Sequence, residues 1–192
     1  MSKHATVTII YGFTEGAWHG KRFRRVFREH GYSVTERAAE ADIIIAHSAG
    51  AFYVPKSLRS DQLLILIDPP YWPERPIMLR SRNMVLHMIQ SIRKDNHPFY
   101  QLHKTVHNFV YLVRHQALNR EMIRHARTFD LAAELKHPRT ILVRNRHDPW
   151  LTPDLEHLKL IQPKLRIRQL PGGHDDCWHN PQRYVNLLQS DI

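Results

Sequence analysis

A chain of 192 residues, 42% hydrophobic and 24% charged, has the composition of one globular domain, or of one core with an inserted subdomain, and not of a disordered chain. Its single cysteine, Cys177, excludes an intrachain disulfide, and no stretch approaches the ~18 uncharged apolar residues of a membrane span. The net charge of +10, with His counted neutral, permits attraction to anions, but the Lys and Arg residues are scattered and no nucleic-acid-reading motif accompanies them.

The first apolar stretch is short and runs directly into a predicted strand, residues 7–11, with no cleavage pattern behind it. Together with the lone cysteine this gives the expectation of a cytoplasmic protein. Residues 18–30 follow with Phe23, Val26 and Phe27 on one side and basic residues on the other, a helical spacing that Gly31 closes. A weak strand is predicted over 33–37. The next, over 41–46, contains Ile43-Ile44-Ile45, and the one over 63–67 reads Leu-Leu-Ile-Leu-Ile. Neither run has polar alternation, as expected of central parallel strands covered on both faces.

From Tyr71 to His137 the strand pattern stops. Met84, Val85, Met88, Ile89 and Ile92, and then Leu102, Val106, Phe109, Val110 and Val113, fall at helical intervals, which predicts an insertion of two to four helices. Eleven Lys or Arg stand there against five Asp or Glu, so the insertion carries more than half of the excess charge. Strands resume over 140–143 and 165–170. Thr152-Pro153-Asp154 and Asn180-Pro181 both suit helix starts, the second ahead of Tyr184, Val185, Leu187 and Leu188. Alternating strands and helices predict an α/β fold, a mostly parallel sheet of about six strands with helices on both faces. The predicted core is 1–70 with 138–192, interrupted by the helical insertion 71–137.

The sharpest local signal is Ala46-His47-Ser48-Ala49-Gly50, directly after a strand. A serine flanked by small residues two before and two after it suits a tight, strained strand-to-helix turn that lifts its oxygen clear of the sheet. A following helix would point its amide end toward that oxygen. The pentapeptide resembles the nucleophile elbow G-x-S-x-G of α/β-hydrolases, with Ala46 for the first glycine, as in the A-H-S-x-G elbow of some small bacterial lipases.

That resemblance implies the α/β-hydrolase fold, a Ser48 nucleophile, and partners in the chain order serine, acid, histidine, each on a loop after a later strand. The strand over 140–143 leads to Asp148-Pro149-Trp150, and the strand over 165–170 leads through Gly172-Gly173 to His174. Asp148 is the expected acid and His174 the expected base. Asp68, in Ile67-Asp68-Pro69-Pro70, is its rival, read as a loop residue that shapes the start of the insertion. Asp175 and Asp176 are expected to hold the histidine loop.

The resemblance further implies an oxyanion hole of two backbone N–H groups. Ala49 would supply one, and Phe13, with Gly12 as the alternative, of Tyr11-Gly12-Phe13, in the place of the family's H-G-x loop, the other. It implies too that the insertion is a lid, and that Trp18, Tyr71, Trp72 and Trp150 are candidates for the pocket wall. His103 and His107 have metal-binding spacing, but no third ligand is evident, so no metal and no cofactor is expected. The expected activity is hydrolysis of a small carboxylic ester, thioester or lactone, with no specific nucleic-acid partner and the oligomeric state open. A catalytically inactive protein-binding module of the same fold is the alternative.

Overall fold

The computed structural model describes residues 5–12, 15, 18–70, 98–148, 158–160 and 162–191. In chain order these form β1 (Thr6–Ile10), α1 (Lys21–Glu29), β2 (Ser33–Val34), β3 (Ile43–His47), β4 (Leu63–Ile67), α2 (Pro98–Arg114), α3 (Gln116–Thr128), α4 (Leu131–Glu134), β5 (Thr140–Asn145), β6 (Arg166–Leu170), α5 (Asp176–His179) and α6 (Pro181–Asp191). The six strands make one sheet in the order β2-β1-β3-β4-β5-β6, and every neighbouring pair is parallel.

The fold is thus the doubly wound α/β arrangement the sequence predicts. From β1 the chain steps outward to β2 and then returns past β1 to β3. The order therefore reverses between β1 and β3, and loops leaving the carboxyl ends of these two strands diverge to open a crevice. The register sets Ala46 beside Ile10 and His47 beside Ile67.

Strand geometry sends successive side chains to opposite faces, so an unbroken apolar run feeds two cores. On one face Val7, Ile9, Ile43, Ile45, Ile65, Ile141 and Val143 pack with Phe23 and Phe27 of α1 and with Tyr184, Val185 and Leu188 of α6. On the other, Ile44, Ala46, Leu64, Leu66 and Leu142 pack with Ala51, Val54, Leu131, Leu135 and Leu158. The edges are blunted. β2 has two residues, and β6 carries exposed Arg166 and Arg168, which discourage pairing with another chain.

Two predicted helices are not described in full. The one over 84–92 falls outside the described residues, as does the start of the one after Thr152, of which residues 158–160 are described and helical. Pro98–Arg114, Gln116–Thr128 and Leu131–Glu134 are helical, and all stand between β4 and β5. Among the described residues, no helix is long and apolar enough to cross a membrane.

Leu142 lies wholly inside the second core. Leu142→Ala is expected to lower unfolding stability by about 2–5 kcal/mol, through lost transfer energy and an incompletely collapsed cavity. The shift of the urea midpoint at unchanged slope reads this out.

Candidate active site

β3 runs extended to His47 (φ −104°, ψ 133°), and the next residue, Ser48, stands at φ 52°. A non-glycine residue in that region costs of order 1–3 kcal/mol and persists only where its surroundings impose it. Here the imposing contact is Gly50. A Cβ on Gly50 would lie 2.4 Å from the Ile10 carbonyl oxygen and 2.7 Å from that of Tyr11. The turn therefore rides directly on the end of β1, a place only glycine can take. Ala46, fully buried, leaves room on the other side.

The chain departs from the sequence expectation just after the turn. Residues Ser48–Tyr53 form a short 3₁₀ helix rather than an α-helix. Val54 precedes Pro55, whose ring disfavours the helical region for the residue before it, and Val54 is extended (φ −62°, ψ 130°). The turn is therefore followed by a short 3₁₀ segment and not by the longer helix whose amide end the sequence analysis expects to face the serine oxygen.

Three side chains from three loops converge on this turn. Ser48 Oγ lies 2.9 Å from Nε2 of His174, and Nδ1 of His174 lies 3.0 Å from Oδ2 of Asp148. The Asp148 carboxyl is fully shielded, whereas the His174 side chain keeps 13% exposure. Burial pushes the His174 imidazole toward the neutral form, but the adjacent Asp148 carboxylate outweighs it and raises the pKa above 6.5.

The loops bearing Asp148 and His174 are zipped together. Arg146 N–H donates to the Leu170 carbonyl (2.9 Å) and His147 N–H to that of Gly172 (2.8 Å). Asp68, the rival acid, is engaged below them. Its Oδ1 accepts from the Asn145 backbone N–H (2.8 Å) and its Oδ2 from the Asn145 side-chain amide (2.6 Å). Asn145 in turn accepts from Tyr184 Oη (3.0 Å), and its carbonyl accepts the Asp148 N–H (3.1 Å). So Asp68 anchors the strand end that carries Asp148, a different task from the one its sequence position suggests. Burial and the nearby Asp148 charge push its carboxyl up to about 8.

A second polar cluster adjoins the first, and sequence reasoning did not foresee it. Glu15 accepts from the Gly12 N–H (2.8 Å) and Trp178 Nε1 (3.1 Å), from Nζ of Lys104 (2.9 Å), and from Nδ1 of His47 (2.9 Å). Lys104 also donates to Asp175 (2.5 Å), and Nε2 of His47 lies 2.7 Å from the His174 carbonyl oxygen. All four side chains are at most 10% exposed.

Burial alone would raise Glu15 and Asp175. The cations beside them reverse this, and both carboxyls sit below the ordinary carboxylate range, Glu15 far below. Burial would likewise lower His47, yet Glu15 carries it up to about 9.

Asp176 accepts from Arg183 (2.9 Å) and Asn180 (2.7 Å), which ties the histidine loop to α6. Ala49 is buried in the turn, whereas Phe13, Tyr71, Trp72 and Trp150 lie outside the described residues. Trp18 is 52% exposed, packed at a tilt against His19 and edge-to-face with His107. Tyr11, in the place of a histidine, packs on Trp178 and accepts from Arg24.

His103 is exposed, and His107 stacks on Tyr111. Among the described residues, the groups with metal-compatible spacing are instead Glu15–His47–Asp175 and His47–Asp68–His174. In the first, the Lys104 ammonium already takes the cation's place.

No family model matches this chain, and no curated protein matches it in sequence. Solved structures do resemble it. An N-formylmaleamic acid deformylase of Pseudomonas putida S16 superposes with a TM-score of 0.62 at 14% identity, covering 95% of this chain and 91% of that one. A thioesterase domain from the curacin biosynthetic pathway gives 0.59 at 13%, covering 98% and 92%. A bacterial membrane phospholipase A gives 0.61 at 18%, covering 99% and 80%. At these identities the likeness is one of fold.

The buried charges predict how stability varies with pH. His47 rises from 6.5 to about 9 on folding, so its stabilisation is complete below pH 6.5 and disappears as pH climbs through about 9. Asp68, raised from 3.8 to about 8, has the same sign, because ionising it in place costs stability. Glu15 and Asp175 act oppositely and withdraw their contribution on acidification. The urea midpoint is expected to fall between about pH 7 and pH 10. A midpoint that is flat or rising over that interval would contradict the assignment of charges.

Proposed function

We propose that this chain, which has the α/β-hydrolase fold, is a serine hydrolase that cleaves a small carboxylic ester, thioester or lactone through an acyl-enzyme on Ser48. The observation that carries the reading is the continuous chain from Ser48 Oγ through the His174 ring to the Asp148 carboxyl, on a turn held at positive φ. A serine hydroxyl is a weak nucleophile, and a strained turn that brings a half-buried serine oxygen against an imidazole supports the reading that this oxygen is presented to a ligand.

The geometry supports the following course. His174 Nε2 takes the Ser48 proton as Oγ bonds to the acyl carbon, and the carbonyl oxygen becomes an oxyanion. The backbone N–H groups of Ala49 and Phe13 would hold that oxygen, each donor being worth roughly 3–4 kcal/mol in the transition state. Collapse breaks the bond to the leaving alcohol or thiol, which takes the proton from His174. Water then enters, His174 accepts its proton as the water oxygen bonds to the acyl carbon, and the acid departs as the bond to Ser48 Oγ breaks and that oxygen takes the proton back from His174. Asp148 keeps Nδ1 protonated and favours the imidazolium that forms twice per turnover.

In this reading residues 71–137 cap the site. Support comes from Lys104 of α2, which reaches Glu15 and Asp175, and from Met122 of α3, which packs against Ala49 and Phe52 beside the turn. Trp18, Tyr71, Trp72 and Trp150 are proposed as walls of the pocket. The neighbouring deformylase, thioesterase and phospholipase have in common that each cleaves an acyl bond, which favours the same reaction class here.

A fluorophosphonate probe is expected to label the wild-type protein and to leave Ser48→Ala unlabelled. Equal labelling of both, or turnover by neither across nitrophenyl esters of increasing chain length, would favour a binding module. Since His174 acts as a base only when neutral, kcat/KM is expected to rise with pH through a value above 6.5. Asp148→Ala should lower kcat by about 10²–10⁴-fold and move that rise to lower pH.

A further inference from the structure

The proton inventory of the second cluster follows from its contacts. Three of the four groups around Glu15 can only donate: the Gly12 N–H, the Trp178 indole N–H and the Lys104 ammonium. A carboxyl so surrounded is ionised. The ring of His47 lies between that carboxylate at Nδ1 and the His174 carbonyl at Nε2, and both of these can only accept. Each ring nitrogen must therefore bear a hydrogen, and the ring is an imidazolium. Four groups, two of each sign, thus meet within a cluster where no member is more than 10% exposed.

These contacts join the parts of the site that must keep a fixed spacing. Glu15 holds the Gly12 amide, on the loop that leads to Phe13. His47 directly precedes Ser48 and holds the backbone of His174 itself. Lys104 crosses from α2 and joins Glu15, on the first of these loops, to Asp175, the residue after His174.

We propose that His47 and Lys104 are positioning residues of this site, a pair of buried cations that fix the loop after β1 against the loop that carries His174 and so hold the imidazole of His174 in line with Ser48. The role rests on the serine-hydrolase reading, and it makes one residue of the insertion a condition of alignment in the core. It also means that Lys104 is engaged by two carboxylates and is not a docking point for an anionic substrate.

Other groups face the His47 ring and belong in any account of its charge. The Asp175 and Asp68 carboxylates are close enough to share a metal-sized site with it. The His174 ring lies 4.8 Å away, centroid to centroid, and the Trp178 indole stands edge-on at 5.1 Å. At neutral pH the cation is favoured by Glu15 and Asp175, Asp68 joining them only as it ionises near pH 8, and it is opposed by Lys104, by His174 when protonated, and by burial.

Two measurements test the proposal. Histidine-selective ¹⁵N NMR of the wild-type protein at pH 7 should show both ring nitrogens of His47 protonated, and titration of that ring only near pH 9. A ring with one bare nitrogen at pH 7 would overturn it. With p-nitrophenyl acetate as probe, Lys104→Met and His47→Gln should lower kcat by about 10–100-fold, the loss expected for a small misplacement of the base. KM should stay within about threefold, and Lys104→Arg should recover most of the rate.

A wild-type kcat in Lys104→Met, or a loss confined to KM, would overturn the proposal. If a variant fails to give a cooperative thermal melt, the wild-type ring spectrum decides alone. The two readings also fail separately. A wild-type protein that neither turns over esters nor takes the phosphonate removes the serine-hydrolase reading, while the His47 spectrum still reports whether the buried cation exists.

Discussion

Two residues after Ser48 and its positive φ, Gly50 lies against the carbonyl oxygens of Ile10 and Tyr11, where a Cβ would have no room. This contact fixes more than one turn. It sets the carboxyl end of β3 against the carboxyl end of β1 at the place where the strand order reverses, so the loop bearing Gly12 and the turn bearing Ser48 share one crevice. The cost of the strained residue is met by two buried sheet faces, whose packing leaves the turn no alternative path. A side chain at position 50 would push the turn off β1 and carry the serine oxygen away from its imidazole.

Around that contact the protein deploys its buried charges in two layers. The outer layer is Ser48, His174 and Asp148, where a carboxylate favours a charged imidazole and the ring keeps some contact with solvent. Beneath it, Glu15, His47, Lys104 and Asp175 hold their charges at neutral pH because each faces an opposite one. Buried pairs of this kind add little to stability in net terms, since desolvation offsets attraction, and removing one partner is what costs. Their worth lies in geometry, because three loops meet there. Asp68 belongs to the same logic as a scaffold for Asn145, and through it for Asp148.

Much of this was legible in the sequence, for identifiable reasons. Runs such as Ile43-Ile44-Ile45 and Leu63–Ile67 announce central parallel strands because both of their faces are buried. The serine turn was legible because sterics demand small neighbours at 46 and 50. Asp148 and His174 came from order along the chain, and the structure sets His174 beside Ser48 and Asp148 beside His174.

What was hidden depends on distance rather than pattern. No periodicity joins Glu15 to Lys104, 89 positions later, and His47 occupies a place in the pentapeptide that sterics leave open. Asp68 was read as shaping the insertion because its bond to Asn145 spans 77 residues. The helix expected after Ser48 gave way to a 3₁₀ turn because the effect of Pro55 on Val54 outweighed the pattern.

The central claim is that Ser48, His174 and the amides beside them form one reaction centre, and the crystal structure of the protein after reaction with a phosphonate tests it most directly. The account predicts phosphorus bonded to Ser48 Oγ, the phosphoryl oxygen accepting from the Ala49 amide and that of Phe13, and the His174 ring still seated between Ser48 and Asp148. Phosphorus on any other side chain, or a phosphoryl oxygen turned away from both amides, would contradict it.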